Sequence, residues 1–406
     1  MTAAGVQSDV IRTEEHEAIT WDLIEMAEHD AEFKRLLEQS VAQAAKLNPD
    51  PDTNPVQDLE SYYQFLDRCY TAMPWEINPS GSFSSLYERI DQGMGCLYFV
   101  CDQPLKELED RGYYHNSILY HEPFRSWFIR YLSGSGSFLN SDASWNDTYY
   151  RTALANPEFC LDQDLYESPK NWHSFNDFFA RRLSDPSKRP IDAPEDNSAV
   201  VSPADSTPQG FWKIDSNSKV LSEEAEAVEG IAIKTGTLTD VSVLLGDSAY
   251  AQAFANGTMT HTFLDINDYH RYHFPVSGTV KEVFVIRQDD APGGVITWDP
   301  KEGRYKEYYS EQFGWQSIET RGVCIVELDQ GGYAALVPVG MCQVSSVNFE
   351  QNVTPGTHVS KGDPMGFFLF GGSDIVMIFS EETAFELTAE PSVHVNMGNA
   401  IGTIKN

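Results

Sequence analysis

An α+β fold is what this sequence predicts, with a helical N-terminal region over 1–150 followed by a β-rich domain over 151–406. Three observations lead there. Early apolar residues recur at three- and four-residue spacing, the texture changes after a proline-rich stretch at 184–197, and short β-branched and aromatic runs bounded by turn residues fill the rest. With 406 residues, 41% hydrophobic and 12% aromatic, the chain can bury the cores of two or three domains.

From Ile19 to about Leu47, the positions Leu23, Ile24, Ala27, Ala31, Leu36, Leu37, Val41 and Ala44 mark one amphipathic helix, stopped by the prolines of "NPDPDTNPV". Leu59, Tyr63, Leu66 and Cys69 mark a second, and the stretch from Ser82 to Gly112 reads as one or two more. "LSGSGSFLNSDASWND", Leu132 to Asp147, is rich in Gly, Ser and Asn and reads as a linker loop; it lacks the lysine of a phosphate-binding loop. "HSFNDFFARRL" predicts a short helix capped by Ser174 with Asp177 three residues on, its phenylalanines buried and Arg181-Arg182 at a solvated end. Strands follow in "TMTHTFLDI", "GTVKEVFVI", "GVCIVELD" and "YAALVPVG", and two apolar runs flank "GGSD" at Gly371 to Asp374. Arg287 to Trp315 is polar and poorly patterned, a lid or a surface excursion.

The formal net charge of −33 opposes nonspecific binding to nucleic acid and to anionic membranes. The N-terminus lacks a secretory pattern, and no run approaches the ~20 apolar residues that span a bilayer. Six cysteines without metal-ligand spacing suit a reducing cytoplasm and no metal site.

Three distant stretches carry chemistry: "VSPADST" with Asp205, "DINDYHRYHFPVSGTV" with His270 and His273, and "KGDPMGFFLFGGSD" with Ser373. An Asp, a His and a Ser are the parts needed to activate a hydroxyl, although such a trio occurs by chance in many chains. The surrounding words are more specific. "NDFFARRL", "KRPID", "VSPAD", "YHRYHFPVSG" and "KGDPMGFFLFGGS", in this order, resemble the phosphatidylserine decarboxylase family of pyruvoyl enzymes. The helical extension resembles the fungal branch that includes tryptophan decarboxylases.

The resemblance implies a β-rich catalytic domain with barrel-sandwich-type hairpins that cuts itself at Gly372-Ser373, giving a β chain of 1–372 and an α chain of 373–406 that stay associated. Ser373 would become a pyruvoyl cofactor, His273 would be the base, Asp205 its orienting partner and His270 the acid that returns a proton after decarboxylation. If residues 267–271 form a helical turn, His270 and His273 face the same side; in a strand they do not. The small-molecule substrate implied is an amino acid joined through a Schiff base, soluble and aromatic in one reading, phosphatidylserine in the other; a homodimer is one assembly to test.

Two residues depart from the family pattern. Ser206 stands where a glycine is usual, and Asp374 where a small residue commonly follows the cleavage serine. Asp374 either borders the substrate pocket or is turned away from it by strand alternation. Rival readings are a serine hydrolase, since the order Asp205, His273, Ser373 occurs in one protease family, a carrier module resembling biotinyl and lipoyl hairpins, and an unprocessed noncatalytic family member.

Overall fold

The computed structural model describes residues 15–78, 81, 83–111, 115–221, 240–287, 295–308, 315–317, 319–341 and 346–405. Eight α-helices in this described part run α1 Ala18–His29, α2 Ala31–Leu47, α3 Leu59–Tyr70, α4 Leu86–Cys101, α5 Phe124–Leu139, α6 Asp147–Leu154, α7 Phe175–Phe179 and α8 Val241–Leu245. The strands are β1 Ala199–Val201, β2 Thr207–Ile214, β3 Val220–Leu221, β4 Thr258–Leu264, β5 Arg271–His273, β6 Gly278–Ile286, β7 Val295–Asp299, β8 Arg304–Tyr308, β9 Thr320–Leu328, β10 Tyr333–Met341, β11 Val347–Phe349, β12 His358–Val359, β13 Pro364–Phe368, β14 Gly372–Phe379, β15 Glu386–Leu387 and β16 Ala400–Thr403. The α+β class holds, and the described sheets are open, with no closed barrel among them.

Local chemistry explains the helix ends. The long periodic stretch splits at Asp30, whose carboxylate accepts from the backbone N–H of Glu32 and Phe33 and so starts a new helix. Asp58 and Ser85 each open a capping box for α3 and α4, and Ser174 with Asp177 does so for α7, as the sequence predicts. Of the Gly/Ser/Asn stretch from Leu132 to Asp147, the first half, through Leu139, is helix rather than loop. It forms the last two turns of α5, because its small residues admit a neighbour: a Cβ on Gly134 would overlap the Tyr70 ring. Ser133 and Ser137 return their hydroxyls to carbonyls one turn back.

An eight-stranded antiparallel sheet, in the order β12-β6-β9-β10-β14-β4-β2-β3, organises the rest. Its central strands are buried on both faces, which is why they read as unbroken apolar runs. Val323, Ile325, Val337, Val376 and Ile378 pack with helices α1 to α5 in one core. Their strand neighbours Cys324, Val326, Leu336, Ile375 and Met377 face a second core with β13 and β16. A third, aromatic cluster joins Trp75, Phe175, Phe178, Phe179, Ile266 and Phe370.

The segment from Arg287 to Trp315 contains a hairpin, β7–β8, fastened to the helical region; residues 288–294 and 309–314 lie outside the described residues. The Gln92 side chain pairs with both backbone groups of Tyr305, and the Tyr305 hydroxyl donates to the Thr53 carbonyl at 2.7 Å. Of the six cysteines, Cys69, Cys96, Cys101, Cys160 and Cys324 are free, and Cys342 lies outside the described residues.

Candidate active site

β14 lies between β10 and β4, and its second residue is Ser373, paired across the sheet with Gly340 and Leu264. Two glycines lead into it for different reasons. Gly371 has φ +148°, a conformation that side chains with a Cβ resist. Gly372 makes room for a neighbour, since a Cβ there would stand 2.3 Å from Cγ of Met341.

The hydroxyl of Ser373 lies 3.4 Å from Nδ1 of His270, and both residues are buried. His270 arrives from a turn that begins at Asp265, where the Asp268 carboxylate accepts the Asp265 N–H at 2.8 Å. The carbonyl of His270 in turn accepts the N–H of Phe368, so the turn is tied to β13. Nε2 of His270 is 3.2 Å from the Ile266 carbonyl, which can only accept. The ring proton therefore resides on Nε2, and the lone pair of Nδ1 faces the serine. Burial, reinforced by the nearby Arg181 guanidinium, lowers the imidazole to about 3, and the Phe179 ring stacks on it with centroids 3.8 Å apart. This is a neutral base held against a buried hydroxyl.

The other expected members, His273 and Asp205, are engaged elsewhere. His273 sits on β5 with Nδ1 2.8 Å from the Gly362 carbonyl and Nε2 3.2 Å from the Tyr269 hydroxyl. Burial lowers its pKa as well. Asp205 accepts from Nε and Nη2 of Arg189 and from the backbone N–H of Met397. The three motif stretches do converge through the backbone: the N–H of His273 donates to the Pro203 carbonyl, and the N–H of Phe274 to that of Asp363. What they build around Ser373, however, is a contact with His270.

Asp374 is fully buried beside Nδ1 of His261, at 3.1 Å from Oδ1 and 2.9 Å from Oδ2, and accepts from Nε2 of Gln316 at 3.1 Å. Strand alternation turns it toward the helical core, away from Ser373. Ser206 is buried too and accepts the hydroxyl hydrogen of Thr262 at 2.7 Å.

Sequence reasoning missed Arg181. Rather than ending a helix in solvent, it is fully buried, donating to the Asn267 and Asp268 carbonyls at 2.7 and 3.0 Å, and its guanidinium lies 4.3 Å from the Tyr166 ring centroid. It thereby braces the turn that presents His270. Its run of flanking phenylalanines was the available signal, since a charge among aromatic rings on a short helix has little solvent to reach.

Comparison with known proteins decides the family: residues 175–403, more than half of the chain, match the family model described as phosphatidylserine decarboxylase. The chain belongs to the phosphatidylserine decarboxylase family. Among its relatives, phosphatidylserine decarboxylase proenzyme 2 of Oryza sativa subsp. japonica is 30% identical over 258 residues, 63% of this chain and 36% of that protein. The phosphatidylserine decarboxylase proenzyme of Bordetella pertussis is 29% identical over 228 residues, 53% and 70% of the two chains. The L-tryptophan decarboxylase of Psilocybe cubensis is 26% identical over 248 residues, 58% of this chain and 53% of its own length.

A pyruvoyl group made from Ser373 fits the residues present, because the preceding glycine allows close backbone approach and the hydroxyl already faces an unprotonated nitrogen. Among the described residues no helix is long and apolar enough to cross a membrane.

Proposed function

We propose that this chain cuts itself between Gly372 and Ser373 and, once cut, removes the α-carboxylate of a soluble amino acid. The observation that carries the reading is the Ser373–His270 pair on a strand entered through two glycines. In this reading His270 Nδ1 takes the hydroxyl proton as Oγ bonds to the Gly372 carbonyl carbon. The Gly372 C–N bond breaks, the Ser373 nitrogen leaves with a proton, and an ester remains. Loss of the Ser373 Cα proton then expels the Gly372 carboxylate, and hydrolysis of the dehydroalanine releases ammonia and leaves a pyruvoyl group at the head of 373–406. That group supplies an electrophilic carbonyl and an electron sink for an amine-bearing substrate.

The proton-taking role falls to His270 rather than His273, because the Gly362 carbonyl and the Tyr269 hydroxyl engage both nitrogens of His273. Asp205, held by Arg189 and Met397, serves as a brace for the same frame. In the cut chain Nδ1 of His270 relays a proton from water to the carbon that has lost CO2, carrying it only in that step because burial disfavours the charged ring. We assign the helical region to 1–150 and the catalytic region to 151–406, with the two cleaved chains remaining together.

A free amino acid is favoured over a lipid by the net charge of −33, which opposes approach to anionic bilayers, and by the likeness to a tryptophan decarboxylase. The names of the rice and Bordetella relatives favour the second reading, phosphatidylserine. Purified protein incubated with phosphatidylserine vesicles and with individual amino acids, with CO2 release measured, separates the two; release from neither overturns the decarboxylase reading.

A further inference from the structure

The helical region reaches the strand pair that holds Ser373. In β4, Leu264 is the cross-strand partner of Ser373, and Asp265 follows it directly. Tyr87, in the first turn of α4, places its hydroxyl 3.5 Å from Oδ1 of Asp265. Both side chains are half-buried. On one side they border the aromatic cluster: Tyr87 packs against it, and Ile266, the residue after Asp265, belongs to it together with Phe179 and Phe370. Phe179 is the ring stacked on His270. A carboxylate and a phenol thus stand at the rim of an aromatic wall, one residue from the reactive strand pair.

The charges that face this pair are mixed. Asp91, one turn further along α4, and His394 lie within electrostatic reach of Asp265, and Arg304 of Tyr87 and Asp91. Burial raises the carboxyl of Asp265 above its ordinary range, and among the described residues no ion pair neutralises it. Among the described residues its side-chain hydrogen bond is the long one from Tyr87. A partly desolvated acceptor so weakly satisfied gains most from a donor that arrives with a ligand.

We propose that Tyr87 and Asp265 select the substrate of the decarboxylation proposed above: Asp265 accepts an N–H from a planar aromatic side chain whose ring lies along Tyr87 and the aromatic wall. The inference rests on that reading of the site. The same carboxylate repels a phosphodiester, so the pair selects against a phospholipid as well as for a nitrogen-bearing ring. Helix α4 thereby gives the N-terminal region a part in choosing the substrate.

The test compares tryptophan with 3-(3-benzothienyl)alanine, in which sulfur replaces the indole N–H, with phosphatidylserine vesicles as a third arm and turnover counted per cleaved chain. The unmodified protein should favour tryptophan by about tenfold or more in kcat/KM, and Asp265→Asn, which weakens the acceptor, and Tyr87→Ala, which removes the ring, should bring the ratio within about threefold, chiefly by raising KM for tryptophan. A ratio unchanged in both variants, or turnover of phosphatidylserine alone, overturns this inference and leaves the decarboxylase standing. A chain that neither cleaves itself nor releases CO2 from any of the three overturns both.

Discussion

Ser373 and Asp374 are consecutive residues of β14 that serve opposite faces of one sheet: the hydroxyl of Ser373 meets His270, and the carboxylate of Asp374 meets His261. The Ser373 hydroxyl and a buried polar network therefore share a strand while facing opposite sides of it. Replacing Asp374 removes an acceptor from His261 and Gln316 in the helical core. Asp374→Ala, made in a Ser373→Ala background so that cleavage does not intervene, should cost about 3 kcal/mol in denaturant unfolding, with Asp374→Asn costing less. An Asp374→Ala chain as stable as its parent would show that the network contributes nothing.

Ser373→Ala should leave a single full-length chain. The unmodified protein should instead yield, on denaturing electrophoresis and mass analysis, a 34-residue fragment over 373–406 of about 4 kDa with a blocked N-terminus. A fluorophosphonate that labels intact Ser373 in an uncut chain would point to a hydrolase.

The two imidazoles separate by mutation. His270→Ala should slow self-cleavage by about 10²- to 10⁴-fold, the range of a positioned general base, as followed by the appearance of the short fragment. His273→Ala should still cleave and lose about 1–3 kcal/mol of stability, because the Gly362 carbonyl and the Tyr269 hydroxyl lose their partner. The reverse pattern would return the base role to His273.

Acidity offers a further check on His270. Its folded-state pKa is depressed to about 3, mainly by burial, so between that value and the ordinary histidine range the unfolded chain binds the proton and the folded one does not. Stability from this group is complete above about pH 6.5 and is lost as pH falls toward 3, at up to about 1.4 kcal/mol per pH unit. His270→Phe should flatten that part of the stability profile by one proton. Self-cleavage, which uses the neutral ring, should not fall between pH 8 and 5 through this group.

Gly372 tests the need for close approach. Gly372→Ala places a methyl against Met341 and should destabilise the uncut chain by about 1–3 kcal/mol and slow cleavage. Met341→Ala in the same chain should recover most of the loss. Failure to recover would mean that the glycine is needed for something other than space.

Strands β9, β10 and β14 were legible because both their faces are apolar, β4 and β6 because β-branched and aromatic residues recur along them, and the capping box at Ser174 because its residues are a local signal. The Gly/Ser half of α5 was not, since its helicity depends on Tyr70 lying in the space its small residues leave. The split at Asp30 was hidden because the apolar period continues across it. At the site, sequence motifs gathered Asp205, His270, His273 and Ser373 into one neighbourhood, but which imidazole meets the serine depends on the turn at Asp265 and on β5. For Arg181 the flanking phenylalanines were the one local signal, because the carbonyls it donates to are more than 80 residues away in the chain.

The position of β14 in the interior of the sheet has one more consequence. A cut before Ser373 would leave the new chain end between β10 on one side and β4 on the other, so the break would open no seam. Yet it divides the instructions for folding between two polypeptides. A single uncut chain would find its structure at a rate independent of how dilute it is. Once cut and unfolded, the same molecule must find a partner to fold again, and recovery becomes dependent on concentration. Such a protein would assemble once as a single chain and afterwards persist because it unfolds slowly.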